Sequence, residues 1–252
     1  MIKDKPKLIA FDLDGTLAES KQRLSAEMGN LLAQLLERMC VAILSGASFA
    51  QFEKQVLASI HETTHLNRLF IFPTNAAQCY AFSNGRWVLK YDRSFNPMEK
   101  ARIMQALKEA LEETGFAAPP AQVWGERIED RGAQISFSGL GQEAPLEAKR
   151  AWDPTGEKKK TLREALAKRL TDFSVVASGS TTVDITHQGI NKAYGIRQLV
   201  ELANISIAEM LYLGDALEEG GNDAVVKQTG VKTVEVFGPE ETANVIESVL
   251  KS

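Results

Sequence analysis

The sequence predicts an α/β protein: a parallel-sheet core interrupted by an inserted α+β domain. Three observations carry this. Short apolar runs at 7–11, 41–44 and 69–72 alternate with segments of helical periodicity, which is the pattern of crossover units in a parallel sheet. Hairpin-like and mixed segments then replace that alternation between residues 83 and 186. The strand–helix alternation resumes from residue 187 to the end. The core is therefore expected in two pieces, 1–82 and 187–252, with the insertion at 83–186. A chain of 252 residues is long enough for one large or two small domains.

The elements follow in order. Residues 7–11 form a strand. A helix over 25–37 has apolar Met28, Leu31, Leu32, Leu35 and Leu36 at helical spacing, with Ser25 as N-cap. Strands at 41–44 and 69–72 flank a helical stretch at 49–60, and Pro73 stops the third strand. Segments 78–82 and 86–91 around Ser83-Asn84-Gly85 form a hairpin. Residues 97–113 are an amphipathic helix with Pro97 near its first position. After the break at Ala117-Ala118-Pro119-Pro120, strands are expected at 123–127 and 133–138, a helix at 157–170, and a strand pair at 174–177 and 182–186. The core then resumes with a helix at 193–202, a strand at 210–214, a helix at 222–228, a strand at 232–236 and a closing helix at 239–250.

Composition narrows the function classes. A net charge of −4 without a basic cluster argues against a nucleic-acid partner. Lys158-Lys159-Lys160 reads as the exposed face of a helix start. Cys40 and Cys79 lie far apart in apolar surroundings, suggesting core positions and no disulfide or zinc framework. No apolar segment is long enough to span a membrane, and the first residues lack the apolar stretch of a signal peptide. A cytoplasmic protein is expected.

Chemistry enters at Asp12-Leu13-Asp14-Gly15-Thr16. Two carboxylates at the end of a buried strand are costly unless a cation or strong hydrogen bonds compensate them. Asp-Gly alone is a common turn, but three further groups stand at or near the ends of predicted core strands. That edge is where open α/β sheets bind ligands. Ser45-Gly46 offers a hydroxyl and backbone N–H groups for a phosphoryl oxygen. Lys192 opens a helix and can neutralise negative charge. Asp215 ends a strand, and a glycine-rich loop returns Asn222 and Asp223. Clustered hard oxygen ligands suit Mg²⁺.

In this order the groups resemble the motifs of the haloacid dehalogenase-like (HAD) phosphatase superfamily, whose core is Rossmann-like. The insertion, with about 145 residues between Ser45 and Lys192, resembles the C2 cap of subclass IIB. The resemblance implies that Asp12 is the nucleophile and Asp14 the general acid/base, with Ser45 and Lys192 holding the phosphoryl group. It also implies Mg²⁺ among Asp12, Asp14, Asp215, Asn222 and Asp223, and substrate contacts from Thr16, Lys21 and Gly46. The Gly220-Gly221-Asn222-Asp223 ending, Ser45-Gly46-Ala47-Ser48-Phe49, Arg131-Gly132, the segment ending Thr182-Val183-Asp184 and Gly189-Ile190-Asn191-Lys192 resemble the eukaryotic-type phosphomannomutase branch.

That resemblance implies a cap that binds the non-reacting end of a sugar phosphate through Arg131, Thr182 and Asp184. Ser138 stands where the branch carries a cap-strand arginine, and Lys149 or Arg150 would be the loop cation. Thr74-Asn75-Ala76 replaces Glu-Asn-Gly. Fewer cap arginines favour a sugar-phosphate phosphatase, with a mutase as the alternative. A catalytically silent sugar-phosphate-binding protein is a third reading, disfavoured by the presence of Asp12 and Asp14. The expected partner is a small phosphorylated metabolite, and the protein is expected to be a monomer or a cap-mediated homodimer.

Overall fold

The computed structural model describes residues 5–60 and 65–251. The expectation about a signal peptide concerns residues 1–4 in part and lies outside them. The chain divides into two compact units, Met1–Asp92 with Asn191–Ser252, and Arg93–Ile190.

The first unit is built on a seven-stranded sheet. Its strands are β1 (Leu8–Asp12), β2 (Cys40–Leu44), β3 (Leu69–Phe72), β4 (Gln78–Ser83), β5 (Arg86–Asp92), β10 (Met210–Gly214) and β11 (Lys232–Glu235). Their order is β11-β10-β1-β2-β3-β4-β5. The pairs from β11 to β3 are parallel, and β4 and β5 add antiparallel. β1 is fully buried on both faces, which explains its unbroken apolar run. One layer packs α1 (Ala26–Arg38), α2 (Phe49–Gln55) and α7 (Pro239–Lys251) around Phe11, Leu32, Phe52 and Ile246. The opposite core gathers α6 (Lys192–Ala203) residues Ile196 and Leu199 against Phe72 and Tyr212. Ser25 caps α1 as its sequence predicts, accepting from Met28 N at 3.1 Å.

The second unit holds a four-stranded antiparallel sheet in the order β6-β7-β9-β8. Its strands are β6 (Ile128–Asp130), β7 (Ile135–Ser138), β8 (Phe173–Ser178) and β9 (Thr182–His187), accompanied by α3 (Pro97–Glu113), α4 (Leu146–Trp152) and α5 (Glu157–Arg169). α3, α5 and one sheet face enclose a separate core around Leu107, Phe137, Leu166 and Ile185.

Several expectations change. The hairpin of β4 and β5 extends the core sheet through β3, so the second unit begins at Arg93 and not at 83, and it ends at Ile190 and not at 186. Residues 123–127 are irregular, and the strand starts at Ile128. The segment carrying Lys149 and Arg150, expected as a loop, forms the helix α4. α2 ends at Gln55 and passes into a 3₁₀ turn, and residues Ala224–Thr229 are likewise 3₁₀. In the lysine run only Lys160 is exposed. Lys158 Nζ donates to Trp152 O and Lys159 Nζ to Gly179 O, both at 2.5 Å. Cys79 is buried but Cys40 only partly. No helix among the described residues is long and apolar enough to cross a membrane.

Candidate active site

Parallel pairing brings the four motifs of the first unit to one edge. Asp12 ends β1 opposite Leu44 of β2, so Ser45 follows on the next strand. On the other side Phe11 pairs with Leu213 of β10, which delivers Asp215 two residues later. Lys192 opens α6, whose N-cap Asn191 accepts from Tyr194 N at 3.1 Å.

Lys192 is the centre of the arrangement. It is 2 % exposed, and its ammonium donates to Asp12 Oδ1 and Asp223 Oδ1 at 2.5 Å each. Asp223 Oδ1 also accepts from the Tyr212 hydroxyl at 2.5 Å, and its Oδ2 from Ala216 N at 3.3 Å. Asp12, Asp215 and Asp223 present carboxylate oxygens that all lie within 4.8 Å of one another. Burial pushes the Asp12 carboxyl well above the usual range; Lys192 opposes this, and Asp223 and Asp215 add to it. Asp215 is raised by burial and by Asp223. Burial works against the Lys192 charge, but Asp12 and Asp223 outweigh it and hold the ammonium above its ordinary value.

Three clustered carboxylates against one ammonium leave excess negative charge in a dry place. That donor set fits a hard divalent cation. The loop after β1 is shaped to approach it: Gly15 has φ +92°, and a Cβ there would lie 2.3 Å from Asp215 Oδ2.

The remaining residues take different places. Asp14 lies outside that carboxylate cluster, in the turn after β1, where its Oδ1 accepts from Lys21 N at 2.6 Å. Lys21 thus contributes a backbone donor from a left-handed conformation (φ 58°). Thr16 is fully buried and its carbonyl accepts from Thr242 Oγ1 at 2.8 Å, which makes it a support of the loop. Ser45 is 4 % exposed and its Oγ accepts from Ala47 N at 3.1 Å; Gly46 and Asn222 are half-buried.

In the second unit Thr182 and Asp184 share one face of β9, as strand periodicity requires. Asp184 is buried and accepts from Ser136 Oγ and Ser178 Oγ at 2.5 Å each, and Gln134 Nε2 donates to Ser136 Oγ at 2.7 Å. The Arg131 guanidinium donates through Nε and Nη2 to Glu129 Oε2 at 3.0 and 2.6 Å. Ser138 Oγ donates to Gly141 O at 2.9 Å and lies 3.1 Å from Thr181 Oγ1. The two loop cations separate on α4: Lys149 is buried, Arg150 exposed.

Sequence reasoning missed Tyr212, Ser136 and Ser178. The signal for Tyr212 was a lone hydroxyl in the aliphatic strand Met-Leu-Tyr-Leu-Gly. For Ser136 it was the alternation of Gln134, Ser136 and Ser138 with apolar Ile135 and Phe137.

This edge of acids around one buried lysine, on a parallel sheet with an inserted α+β unit, defines a class. The chain is similar here to the haloacid dehalogenase-like hydrolases, whose profile residues 146–223 match. Along nearly its whole length it is also similar to phosphomannomutases. It is 25% identical over 258 residues to a phosphomannomutase of Encephalitozoon cuniculi, covering 100% of this chain and 96% of the relative. It is 25% identical over 253 residues to a probable phosphomannomutase of Caenorhabditis elegans, covering 97% and 95%. The fold is similar to an N-terminally truncated, IMP-bound IMP-nucleotidase of Plasmodium falciparum (TM-score 0.75, 14% identity, 100% of this chain and 70% of that one). It is also similar to a haloacid dehalogenase-like hydrolase of Bacteroides thetaiotaomicron (TM-score 0.62, 18% identity, 97% and 100%).

Proposed function

We propose that this protein transfers the phosphoryl group of a sugar phosphate through Asp12, in the manner of a phosphomannomutase. The observation that carries the reading is the Lys192 ammonium shared between Asp12 and Asp223 at 2.5 Å beside Asp215. A buried lysine in that position orients Asp12, favours its ionised form against the cost of burial, and leaves donor capacity for a phosphoryl oxygen.

An Asp12 oxygen attacks phosphorus in line, forming a new P–O bond as the ester P–O bond breaks. Asp14 gives its proton to the departing alkoxide, and the group is left as an acyl phosphate on Asp12. Lys192 and the Ser45 hydroxyl share the charge of the phosphoryl oxygens. In the second half Asp14 takes a proton from the acceptor, whose oxygen attacks phosphorus and frees Asp12. Asp12, Asp215 and Asp223, with the Asp14 carbonyl and Asn222, are the residues to hold Mg²⁺, which supplies charge neutralisation at the transferring group. Asp223 already accepts three hydrogen bonds, so its first task is to anchor Lys192 and the Ala216 loop. The second unit, through Asp184, Thr182, Arg131 and Lys149, is the specificity module for the sugar phosphate.

The acceptor decides between two outcomes. Similarity along nearly the whole length of phosphomannomutases supports a sugar-phosphate acceptor, and so favours the mutase over the phosphatase suggested by cap cation count. A phosphatase is the second reading, favoured by Ser138 and by the Arg131 charge being answered by Glu129. The test supplies Mg²⁺ and mannose 1-phosphate, with and without catalytic glucose 1,6-bisphosphate. Mannose 6-phosphate formed only with the bisphosphate supports the mutase. Free phosphate without isomerised product selects the phosphatase. Asp12→Asn should abolish either activity, and unchanged turnover would rule out the aspartyl-phosphate route.

A further inference from the structure

Thr74, Asn75 and Ala76 follow β3 in three successive left-handed conformations, with φ of 54°, 54° and 67°. None is glycine and Thr74 is β-branched, so the whole turn is strained. Strain of this kind persists only where the surroundings over-determine the backbone. Here they do so from both sides of the phosphoryl site. Asn75 N donates to Ser45 O at 2.9 Å and Thr74 N to Ala47 O at 3.0 Å, tying the turn to the Ser45 loop. On the other side α6 lies hard against the turn. A Cβ at Gly195 would sit 2.8 Å from Ala76 Cβ and 2.6 Å from Leu44 Cδ2. Gly195 comes three residues after Lys192, on the neighbouring turn of the same helical face. The Tyr91 hydroxyl donates to Ala76 O at 2.9 Å and holds the turn from β5.

We propose that Thr74–Ala76 is a positioning bracket that sets the Ser45 loop and the Lys192 helix at one fixed separation. This inference rests on the phosphoryl-transfer reading above. Ser45 and Lys192 must grip the same phosphoryl group at the same moment, and small misplacements of such groups are expensive in rate. Ala76 keeps the bracket stiff, because a glycine in its place would open many more backbone states. Its methyl also sets how near α6 can come.

The test moves that methyl across the contact. Gly195→Ala adds it to the helix, Ala76→Gly removes it from the turn, and the double variant transposes it. The assay follows phosphoryl transfer from mannose 1-phosphate with Mg²⁺. Gly195→Ala should lose about tenfold or more in kcat with KM within about twofold, and the double variant should recover only part of that loss, since Leu44 still meets the added methyl. Ala76→Gly alone should melt at or above the wild-type temperature, yet lose about threefold or more in kcat. A contact that served stability alone would not separate the two readouts. Unchanged kcat in Ala76→Gly overturns the bracket. Should Gly195→Ala not fold, Ala76→Gly decides by the same criterion. A wild-type protein that transfers no phosphoryl group refutes the functional reading instead. Crystal structures then judge the bracket by the distance from Ser45 Oγ to Lys192 Nζ relative to the native chain. The same distance in Ala76→Gly and Gly195→Ala overturns it; a changed one in both upholds it.

Discussion

Lys192 shows why single residues at this site cannot be judged alone. A lysine at a helix start is usually solvated, and only its burial between Asp12 and Asp223 makes it a structural keystone. Removing one partner from such a network leaves an uncompensated buried charge. The same crowding yields a prediction. Without metal, Asp12 and Asp215 keep their protons to higher pH than unfolded carboxylates do. The folded state then binds more protons than the unfolded one above about pH 4, so stability falls as pH rises through the folded pKa values. Mg²⁺ competes with those protons. Added Mg²⁺ should therefore raise the melting temperature more at pH 8 than at pH 5, measured against EDTA controls. A shift of equal size at both pH values would place the cation elsewhere.

At the scale of elements, strong local signals were legible and weak ones were not. α1, α3 and α7 show clear periodicity with Ser25, Pro97 and Pro239 at their starts, and each forms close to where the pattern puts it. α4 carries a short mixed pattern with proline as its N-cap, and its formation depends on tertiary packing. α5 has Gly156 at its N-cap position and draws its cap from further back. Buried Asp153 accepts from Lys158 N at 3.1 Å and from Lys159 N at 3.0 Å. Asp153→Ala should cost about 1–2 kcal/mol, the range of a lost N-cap, in urea denaturation of the second unit. A change below about 0.3 kcal/mol would mean that water replaces the carboxylate. The placement of β4 and β5 was not legible, because a hairpin signal describes the turn and says nothing about which sheet the strands join.

At the scale of the molecule, two units carry separate apolar cores. Phe11, Leu32 and Tyr212 belong to the first, and Leu107, Phe137 and Leu166 to the second. The clustered carboxylates of Asp12, Asp215 and Asp223, proposed to hold Mg²⁺, all lie in the first unit. Calorimetry should therefore resolve a transition that Mg²⁺ moves upward and one that it leaves in place. A single transition displaced as a whole would mean that the units unfold as one cooperative body.

The sequence by itself determined the α/β fold class with its inserted α+β unit and the strand–helix order of the core, and it named Asp12, Asp14, Ser45, Lys192, Asp215 and Asp223 as candidates for one sheet edge. It could do so because strand periodicity and helix starts are local, and because parallel strands bring their carboxyl ends to a common edge. Tertiary structure alone decided the reach of the core sheet into β5 and the pairing of Lys192 with two acids. It also decided the tying of Asp223 to Tyr212 and the left-handed turn between Ser45 and α6. Those features arise from contacts between residues far apart in the chain, and no local pattern encodes the distance between such side chains.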